Sequence, residues 1–152
     1  MIGIEAARAT DRPALEGLLL ANGLPIAGLE FALGTAVVAR QDGRIVGCAA
    51  VEVYGSAGLL RSVCVEPRQR GLGLGRRLVE QALDVVRKRG VGEIYLLTET
   101  AAEWFPRLGF EPGRREDAPE AIQASPEFTG ACPVGATFFR KHLNPAAATA
   151  VG

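Results

Sequence analysis

A glycine-rich loop between an apolar segment and a helical pattern is the feature of this 152-residue chain that most constrains its fold. Residues 63–83 read VCVEPRQRGLGLGRRLVEQAL, with glycine at every second position from Gly71 to Gly75. Such alternation favours no regular structure, because glycine loses more conformational freedom on folding than any other residue. A strand that feeds a glycine-rich turn and then a helix N-terminus instead predicts an anion site, where unpaired N–H groups meet a closely approaching phosphate.

Arginines around the loop add positive charge for further phosphates. They are Arg68, Arg70, Arg76 and Arg77. Three phosphate-binding patterns compete at this loop. A P-loop requires Lys-Ser/Thr after its last glycine, where this chain has two arginines, and the dinucleotide fingerprint G-x-G-x-x-G does not match the glycine spacing. The third pattern, Arg/Gln-x-x-Gly-x-Gly/Ala, fits residues 70–75.

Hydrophobic periodicity places the loop inside a strand–helix–strand unit over residues 59–98. Apolar residues recur at helical spacing after the loop, at Leu74, Leu78, Ala82 and Val85. Residues 93–98 form a nearly continuous apolar run, which is typical of a strand covered on both faces.

The flanking segments predict further strands and short helices. Upstream we expect a strand over residues 2–9, a helix that begins after Thr10 or Asp11, and a second short helix over residues 24–34. Residues 35–55 contain two strand patterns joined by Asp42-Gly43, a strong hairpin signal. Downstream we expect a short helix over residues 101–108 and two last strands, at residues 110–114 and 135–143.

Composition indicates one globular domain over residues 1–143, with residues 144–152 as a flexible tail. The net charge of +0 argues against nucleic acid or an anionic membrane as a partner. No apolar run reaches the roughly 18 residues of a membrane-spanning helix. The N-terminal residues carry no secretion signal, so we expect a cytoplasmic protein.

The three cysteines, Cys48, Cys64 and Cys132, form no C-x-x-C pair. We expect reduced thiols that act as small buried hydrophobes, and no metal site. A three-thiol site for a soft metal or arsenic(III) is the alternative interpretation.

Two segments carry a resemblance to a known family. Residues 62–83, SVCVEPRQRGLGLGRRLVEQAL, and residues 94–110, IYLLTETAAEWFPRLGF, resemble the GNAT acyl-CoA N-acyltransferases. In that family a strand ends in Val-x-Pro, here residues 65–67, and Leu-Gly-Phe closes a later helix, here residues 108–110. The resemblance implies an α+β fold with a mixed sheet of six to seven strands, flanked by helices and splayed between strands 4 and 5.

The resemblance also implies acetyl-CoA as the cosubstrate and points to the residues that bind it. The backbone of strand 4 would pair with the pantetheine arm, and the amides of residues 71–76 would hold the pyrophosphate. The implied binding residues are Val63, Cys64, Val65, Arg70, Gly71, Leu72, Gly73, Leu74, Gly75, Arg76 and Phe105. A free amide near Val65 is the candidate oxyanion donor. Many family members carry a tyrosine as proton donor where this chain has Phe105, so water, or the ready departure of a thiol, would have to replace it.

Four residues are candidates for the acceptor side of the reaction. Arg61 lies in strand 4, where it either grips an acceptor carboxylate or reaches solvent at the strand end; side chains 61 and 63 should share a face. Glu52 is a candidate general base acting through water, with a solvated face as the alternative. Thr98 ends strand 5 and Glu99 comes just past it, where ligands of α/β proteins bind. Thr98 is a candidate for substrate binding, with capping as its alternative, and Glu99 is a candidate catalytic residue, with an acid at a helix start as its alternative.

A finer resemblance concerns the acceptor. Residues 96–112 and 118–141 resemble the arsenic-resistance branch of the family, and the first segment also resembles the acyltransferase domain of N-acetylglutamate synthases. Both imply a small amino-acid-like amine, acetylated by direct attack in a ternary complex. A covalent route through Cys64 would need an activating base, and the only histidine is His142. The alternatives are an amino-acid acetyltransferase of the N-acetylglutamate-synthase type and a non-catalytic acetyl-CoA sensor; a homodimer is left open.

Overall fold

The computed structural model describes residues 2–131 and 136–144. The strands within this part of the chain are β1 Ile2–Ala6, β2 Val37–Gln41, β3 Arg44–Tyr54, β4 Ala57–Val65, β5 Glu93–Thr98, β6 Glu111–Pro112 and β7 Thr137–His142. The α-helices are α1 Arg12–Ala21, α2 Leu74–Arg87 and α3 Glu120–Gln123. The seven strands form one mixed sheet in the order β1-β2-β3-β4-β5-β7-β6. The predicted mixed sheet flanked by helices is confirmed.

Local chemistry explains the elements that the sequence predicted. β2 and β3 pair as an antiparallel hairpin whose turn residues Asp42 and Gly43 have φ values of 52° and 81°. Asp and Gly both tolerate this left-handed region. α2 buries one apolar face against the sheet, and that face consists of Leu74, Leu78, Val79, Ala82, Leu83 and Val86.

Two predicted helices are wrong in type. Residues 24–34 form 3₁₀ turns at Leu29–Phe31 and Leu33–Thr35 rather than an α-helix. Gly28 adopts φ 80° just before the first turn, and a second glycine lies inside the other, which lowers helix propensity. Residues 101–108 form only the 3₁₀ turn Phe105–Leu108, which contains a proline and ends at Gly109 with φ 90°.

β4 and β5 are parallel neighbours over a short stretch only. They pair at Ala57↔Glu93, Gly58↔Ile94 and Leu59↔Tyr95, and the described residues show no pairing between the two strands beyond that point. The predicted splay between strands 4 and 5 is therefore confirmed. It leaves the last residues of β4 with one open edge.

A bulge in β4 overturns one expectation about side-chain direction. Arg61 lies opposite Ala50 and Cys64 lies opposite Cys48, so Ser62 and Val63 together face a single residue of β3. Ser62 has φ 58°, in the left-handed region. Because of the extra residue, the side chains at 61 and 63 lie on opposite faces of the sheet, and the prediction that they share a face is wrong.

The sheet buries apolar side chains on both faces. α2 covers one face, while α1 and the segment around α3 cover the other. Cys48 and Cys64 are free thiols in the core beside α1, and Cys132 lies outside the described residues, as does the predicted tail from residue 145 onward. No helix in the described part of the chain is long and apolar enough to cross a bilayer.

The close packing at the β4–β5 pair makes a prediction about stability. A Cβ added at Gly58 would lie 2.7 Å from Val51 Cγ1 and 3.1 Å from Ile94 Cδ1, in a packed core. Gly58→Ala should therefore lower the free energy of unfolding by about 1–3 kcal/mol. Gly17→Ala is the control, because Gly17 lies inside α1 with nothing within 4 Å of its would-be Cβ. The control should raise the free energy of unfolding by up to about 1 kcal/mol. Urea denaturation measures both changes, and equal stabilities for the two variants would contradict the packing described here.

Candidate active site

A cavity of about 660 Å³ lies where β4 and β5 diverge. Its walls come from the second half of β4, the glycine-rich loop with the start of α2, the end of β5 with the following turn, and residues 22–25. The predicted site residues that line it are Arg61, Val63, Cys64, Val65, Arg70, Gly71, Gly73, Leu74, Gly75, Arg76, Thr98, Glu99 and Phe105. Two predicted residues, Glu52 and Leu72, do not line it.

The open edge of β4 faces the cavity. The Glu66 N–H donates to Val46 O on β3 at 2.8 Å. Because backbone groups alternate in direction along a strand, the N–H and C=O of Val65 point the other way, away from β3. The Val65 carbonyl accepts a hydrogen bond from Arg70 Nε at 2.9 Å. The Val65 amide is thus placed where an oxyanion donor would be needed, and that role stays a prediction.

The glycine-rich loop presents backbone donors to the same cavity. Gly71 and Gly73 adopt φ values of 84° and 77°, which side chains rarely adopt. The first helical hydrogen bond of α2 runs from Arg77 N–H to Gly73 O at 3.2 Å. The N–H groups of residues 74–76 therefore have no acceptor within the helix, and no side chain caps this helix start. This is the geometry of a phosphate site at a helix N-terminus.

The two arginines predicted to bind the cofactor, Arg70 and Arg76, differ in the partners that their guanidinium groups contact. Arg70 Nε and Nη2 donate to Val65 O and Asn22 Oδ1, both at 2.9 Å, so its guanidinium ties the loop to β4 and to the end of α1. Arg76 is exposed and pairs with Glu80 at 3.3 Å within α2. Arg76 remains available to a phosphate, since an exposed i,i+4 pair contributes only about 0.3–0.5 kcal/mol.

Phe105 is buried in an aromatic cluster at the cavity wall. Its ring centroid lies 5.0 Å from that of Trp104 and 5.5 Å from that of Phe110. Trp104 also packs on the start of α2, since a Cβ at Gly75 would lie 3.2 Å from its Cζ2. The described cavity-lining residues include no tyrosine, so no phenol is available here as a proton donor.

Thr98 and Glu99 lie at the end of β5, as predicted. Thr98 Oγ1 accepts hydrogen bonds from the Ala101 N–H at 3.0 Å and the Thr100 N–H at 3.4 Å, so it stabilises the turn after the strand. Glu99 is exposed at the cavity rim. Thr98 thus caps a turn rather than a helix, and substrate binding by Thr98 and a catalytic role for Glu99 stay predictions.

Glu52 has a different position from the one predicted. Its side chain has no exposed surface, and it accepts hydrogen bonds from Arg61 Nη1 at 2.8 Å, Ser125 Oγ at 2.8 Å and the Tyr54 hydroxyl at 2.5 Å. Burial, together with this hydrogen bond, raises the pKa of Tyr54 to about 12, so the phenol keeps its proton. A carboxylate with three donors and no contact with the cavity does not support the prediction of a general base, and its solvated alternative is wrong.

Arg61 is equally buried. Besides Glu52, its guanidinium donates to Ala27 O at 2.7 Å, to Pro25 O at 3.3 Å and to Ser62 Oγ at 3.1 Å. The alternative of a solvated arginine is wrong, and the geometry does not support the predicted grip on a carboxylate, because the donors are already engaged. Sequence reasoning missed Ser125 and Glu127. The available signal was the arginine itself, since a charge in an apolar strand must find partners.

Comparison with known proteins identifies the family. A mixed sheet that parts beside a glycine-rich helix start is the architecture expected of acyl-CoA N-acyltransferases. Residues 32–112 match the family described as the acetyltransferase (GNAT) domain. The match covers more than half of the chain, and the chain belongs to the GNAT family. The family description names an acetyltransferase domain, and similar solved structures are complexed with coenzyme A.

Individual relatives are similar over part of their length. An amino-acid acetyltransferase of Neisseria meningitidis is 29% identical over 85 residues, which cover 55% of this chain and 20% of that protein. An uncharacterized N-acetyltransferase of Chlorobaculum tepidum is 35% identical over 86 residues, or 56% of this chain and 55% of that protein. The chain thus spans a fifth to about half of these relatives. The structure of N-acetylglutamate synthase from Neisseria gonorrhoeae, complexed with coenzyme A and N-acetyl-glutamate, superposes with a TM-score of 0.81 at 22% identity, over 95% of this chain and 35% of that one.

The loop geometry makes a prediction about cosubstrate binding. If the loop binds the pyrophosphate of acetyl-CoA as predicted, a carboxylate at position 73 would lie against it. Gly73→Glu should weaken acetyl-CoA binding by at least about tenfold, because like charges in contact cost more than about 1.4 kcal/mol. Gly73→Asn is the matched control, since asparagine is neutral and tolerates the positive φ. Titration calorimetry on both folded variants measures their affinities for acetyl-CoA. Equal losses of affinity would mean that backbone strain, not charge, is responsible.

Proposed function

We propose that this protein transfers the acetyl group of acetyl-CoA to the amine of a small amino-acid-like acceptor by direct attack in a ternary complex. The observation that carries the proposal is the shape of the cavity. Its lining includes the backbone donors of the glycine-rich loop and, apart from them in sequence, Pro25 and Glu127. These two residues lie together because both approach Arg61 Nη2, whose own side chain has no exposed surface; we assign the acceptor to this end of the cavity. The names of similar proteins, among them amino-acid acetyltransferases, support an amino acid as the acceptor.

The proposed chemistry uses few groups of the protein. The neutral amine attacks the thioester carbonyl, and the Val65 N–H stabilises the oxyanion, a contribution of about 3 kcal/mol in acyl transfer. The carbon–sulfur bond then breaks, and the ammonium proton passes through water to the departing thiolate. Because a thiol has a pKa near 8.5, this leaving group needs little assistance, which is consistent with Phe105 in place of a phenol.

A covalent acyl-enzyme is disfavoured by the state of the only cavity-lining thiol in the described residues. Burial raises the pKa of Cys64, which keeps the thiol protonated and a poor nucleophile. The described lining of the cavity contains no histidine that could activate it. Direct transfer requires neither group.

Two biological settings fit this activity. The arsenic-resistance setting rests on the resemblance of residues 118–141, a segment whose Cys132 lies outside the described residues. Amino-acid acetylation of the kind that N-acetylglutamate synthases perform is supported by the names of the relatives. Genomic neighbours discriminate between them, because arsenic-resistance genes beside this one would favour the first setting.

A panel of amines tests the activity itself. Free thiol released from acetyl-CoA should appear with at least one amino acid, and it should disappear with the 2-hydroxy analogue that lacks the amine. Gly73→Glu is the control that removes cosubstrate binding. Thiol release without any amine would indicate a hydrolase. Tight acetyl-CoA binding without turnover on any amine would favour the non-catalytic sensor.

Replacement of the buried thiol tests the direct route. Cys64→Ala should keep most of the wild-type kcat, because the thiol takes no part in the transfer. The lost buried surface should lower the free energy of unfolding by roughly 1 kcal/mol. Mass spectrometry of the wild type after brief mixing with acetyl-CoA supplies the second readout: an acetylated Cys64 peptide would establish a covalent route.

A further inference from the structure

A buried network of polar side chains lies beneath the acceptor end of the cavity. Arg61 is at its centre, and its ion pair with Glu52 at 2.8 Å has no exposed side-chain surface on either partner. Glu127 Oε1 lies 3.9 Å from Arg61 Nη2. The network therefore connects β3 and β4 with two segments that are remote from them in sequence, residues 25–28 and residues 125–127.

The first segment is held by carbonyl groups. Arg61 Nη1 donates to Ala27 O at 2.7 Å, and Nη2 donates to Pro25 O at 3.3 Å. These residues belong to an irregular stretch between α1 and a 3₁₀ turn, so no helix or strand fixes their backbone. The guanidinium supplies that constraint, because its planar fork has fixed donor directions.

The second segment is held through Glu52. Ser125 Oγ donates to Glu52 Oε1 at 2.8 Å and also accepts from the Glu127 N–H at 3.2 Å. The two segments contact each other beside the Arg61 guanidinium. A Cβ at Gly28 would lie 3.0 Å from both Arg61 Nη1 and Pro126 Cγ, so only glycine fits that contact.

We propose that Arg61, held by Glu52, is a positioning residue that fixes residues 25–28 and 125–127 as the walls of the acceptor pocket and thereby sets acceptor affinity without touching the acceptor. Each segment contributes one residue to the cavity lining, Pro25 and Glu127 respectively. The inference rests on the proposed transfer to an amine, because it assigns the acceptor to this end of the cavity.

Stability alone does not explain such a pair. Replacing a buried ion pair by apolar residues of similar volume is often neutral or stabilising, because the desolvation of both charges is avoided. The two roles therefore predict different results when the pair is replaced. A stabilising role predicts a lower melting temperature, whereas a positioning role predicts a higher acceptor KM. The double variant Glu52→Leu/Arg61→Met removes both charges together and leaves neither buried alone.

The double variant should melt close to the wild-type temperature and retain its acetyl-CoA KM. Its acceptor KM should rise at least about tenfold, since the hydrogen bonds that place both segments are lost. The acceptor used is the amino acid with the highest rate in the wild-type panel. The surface pair Asp84→Leu/Arg87→Met on α2 is the control and should change neither KM.

Hydrogen exchange supplies a readout that needs no turnover. Amides of residues 26–28, Ser125 and residues 127–129 should exchange faster in the double variant, while those of α2 should not; Pro25 and Pro126 carry no amide hydrogen. If the wild type acetylates no amine, the proposed function fails, and faster exchange still supports the positioning role.

Should the double variant fail to fold, Ser125→Ala replaces it, because this substitution removes one hydrogen bond to Glu52. We expect the same changes in acceptor KM and in exchange. An unchanged acceptor KM together with unchanged exchange would overturn the inference. So would equal increases in the acceptor KM and the acetyl-CoA KM together with a lower melting temperature.

Discussion

The parting of β4 and β5 is the constraint on which the rest of the structure depends. A strand edge inside a protein carries N–H and C=O groups that need partners, and an unpaired buried edge costs free energy. Here the sheet pairs the two strands at only three positions and then opens the edge of β4 to a cavity. An open edge of this kind suits a ligand with alternating amide donors and acceptors, which is the chemistry of the pantetheine arm that is predicted to bind here. The proposed chemistry thus depends on backbone groups of β4 that β5 leaves without pairing.

The bulge at Ser62 changes which face of the sheet the following side chains of β4 occupy. Because it inserts one residue, Arg61 and Cys64 lie on the α1 side, while Val63 and Val65 pack towards α2. On the α2 side, the side chains of Val63 and Val65 pack in the cluster that contains the helix following the glycine-rich loop. The α1 side directs a guanidinium towards the segments that border the acceptor. A regular strand would have placed the side chains of residues 61 and 63 on the same face.

The difference between what the sequence predicted and what it did not follows the range of the interactions. The hairpin at Asp42, the helix after Gly73 and the splayed sheet depend on local turn chemistry, on periodicity and on a motif with a known architecture. The surroundings of Arg61 depend on contacts that no local pattern encodes. Its bulge is set by pairing with β3, and Ser125, which completes the network, is 73 residues from Glu52. The sequence signalled that Arg61 needed partners, but it did not say whether they were a substrate or the protein.

The two halves of the site consequently depend on different kinds of groups. The half predicted to bind acetyl-CoA presents backbone amides, and these are placed by the positive φ angles of Gly71 and Gly73. In our proposal the acceptor half relies on two segments outside the sheet, residues 25–28 and 125–127, which the side chains of Arg61 and Glu52 hold in place. Changes in residues 25–28 or 125–127 can therefore alter the acceptor without moving the phosphate loop. Arg70 joins the two halves, since it links the loop to Asn22 at the end of α1. This arrangement allows one fold to keep its cosubstrate while the acceptor varies.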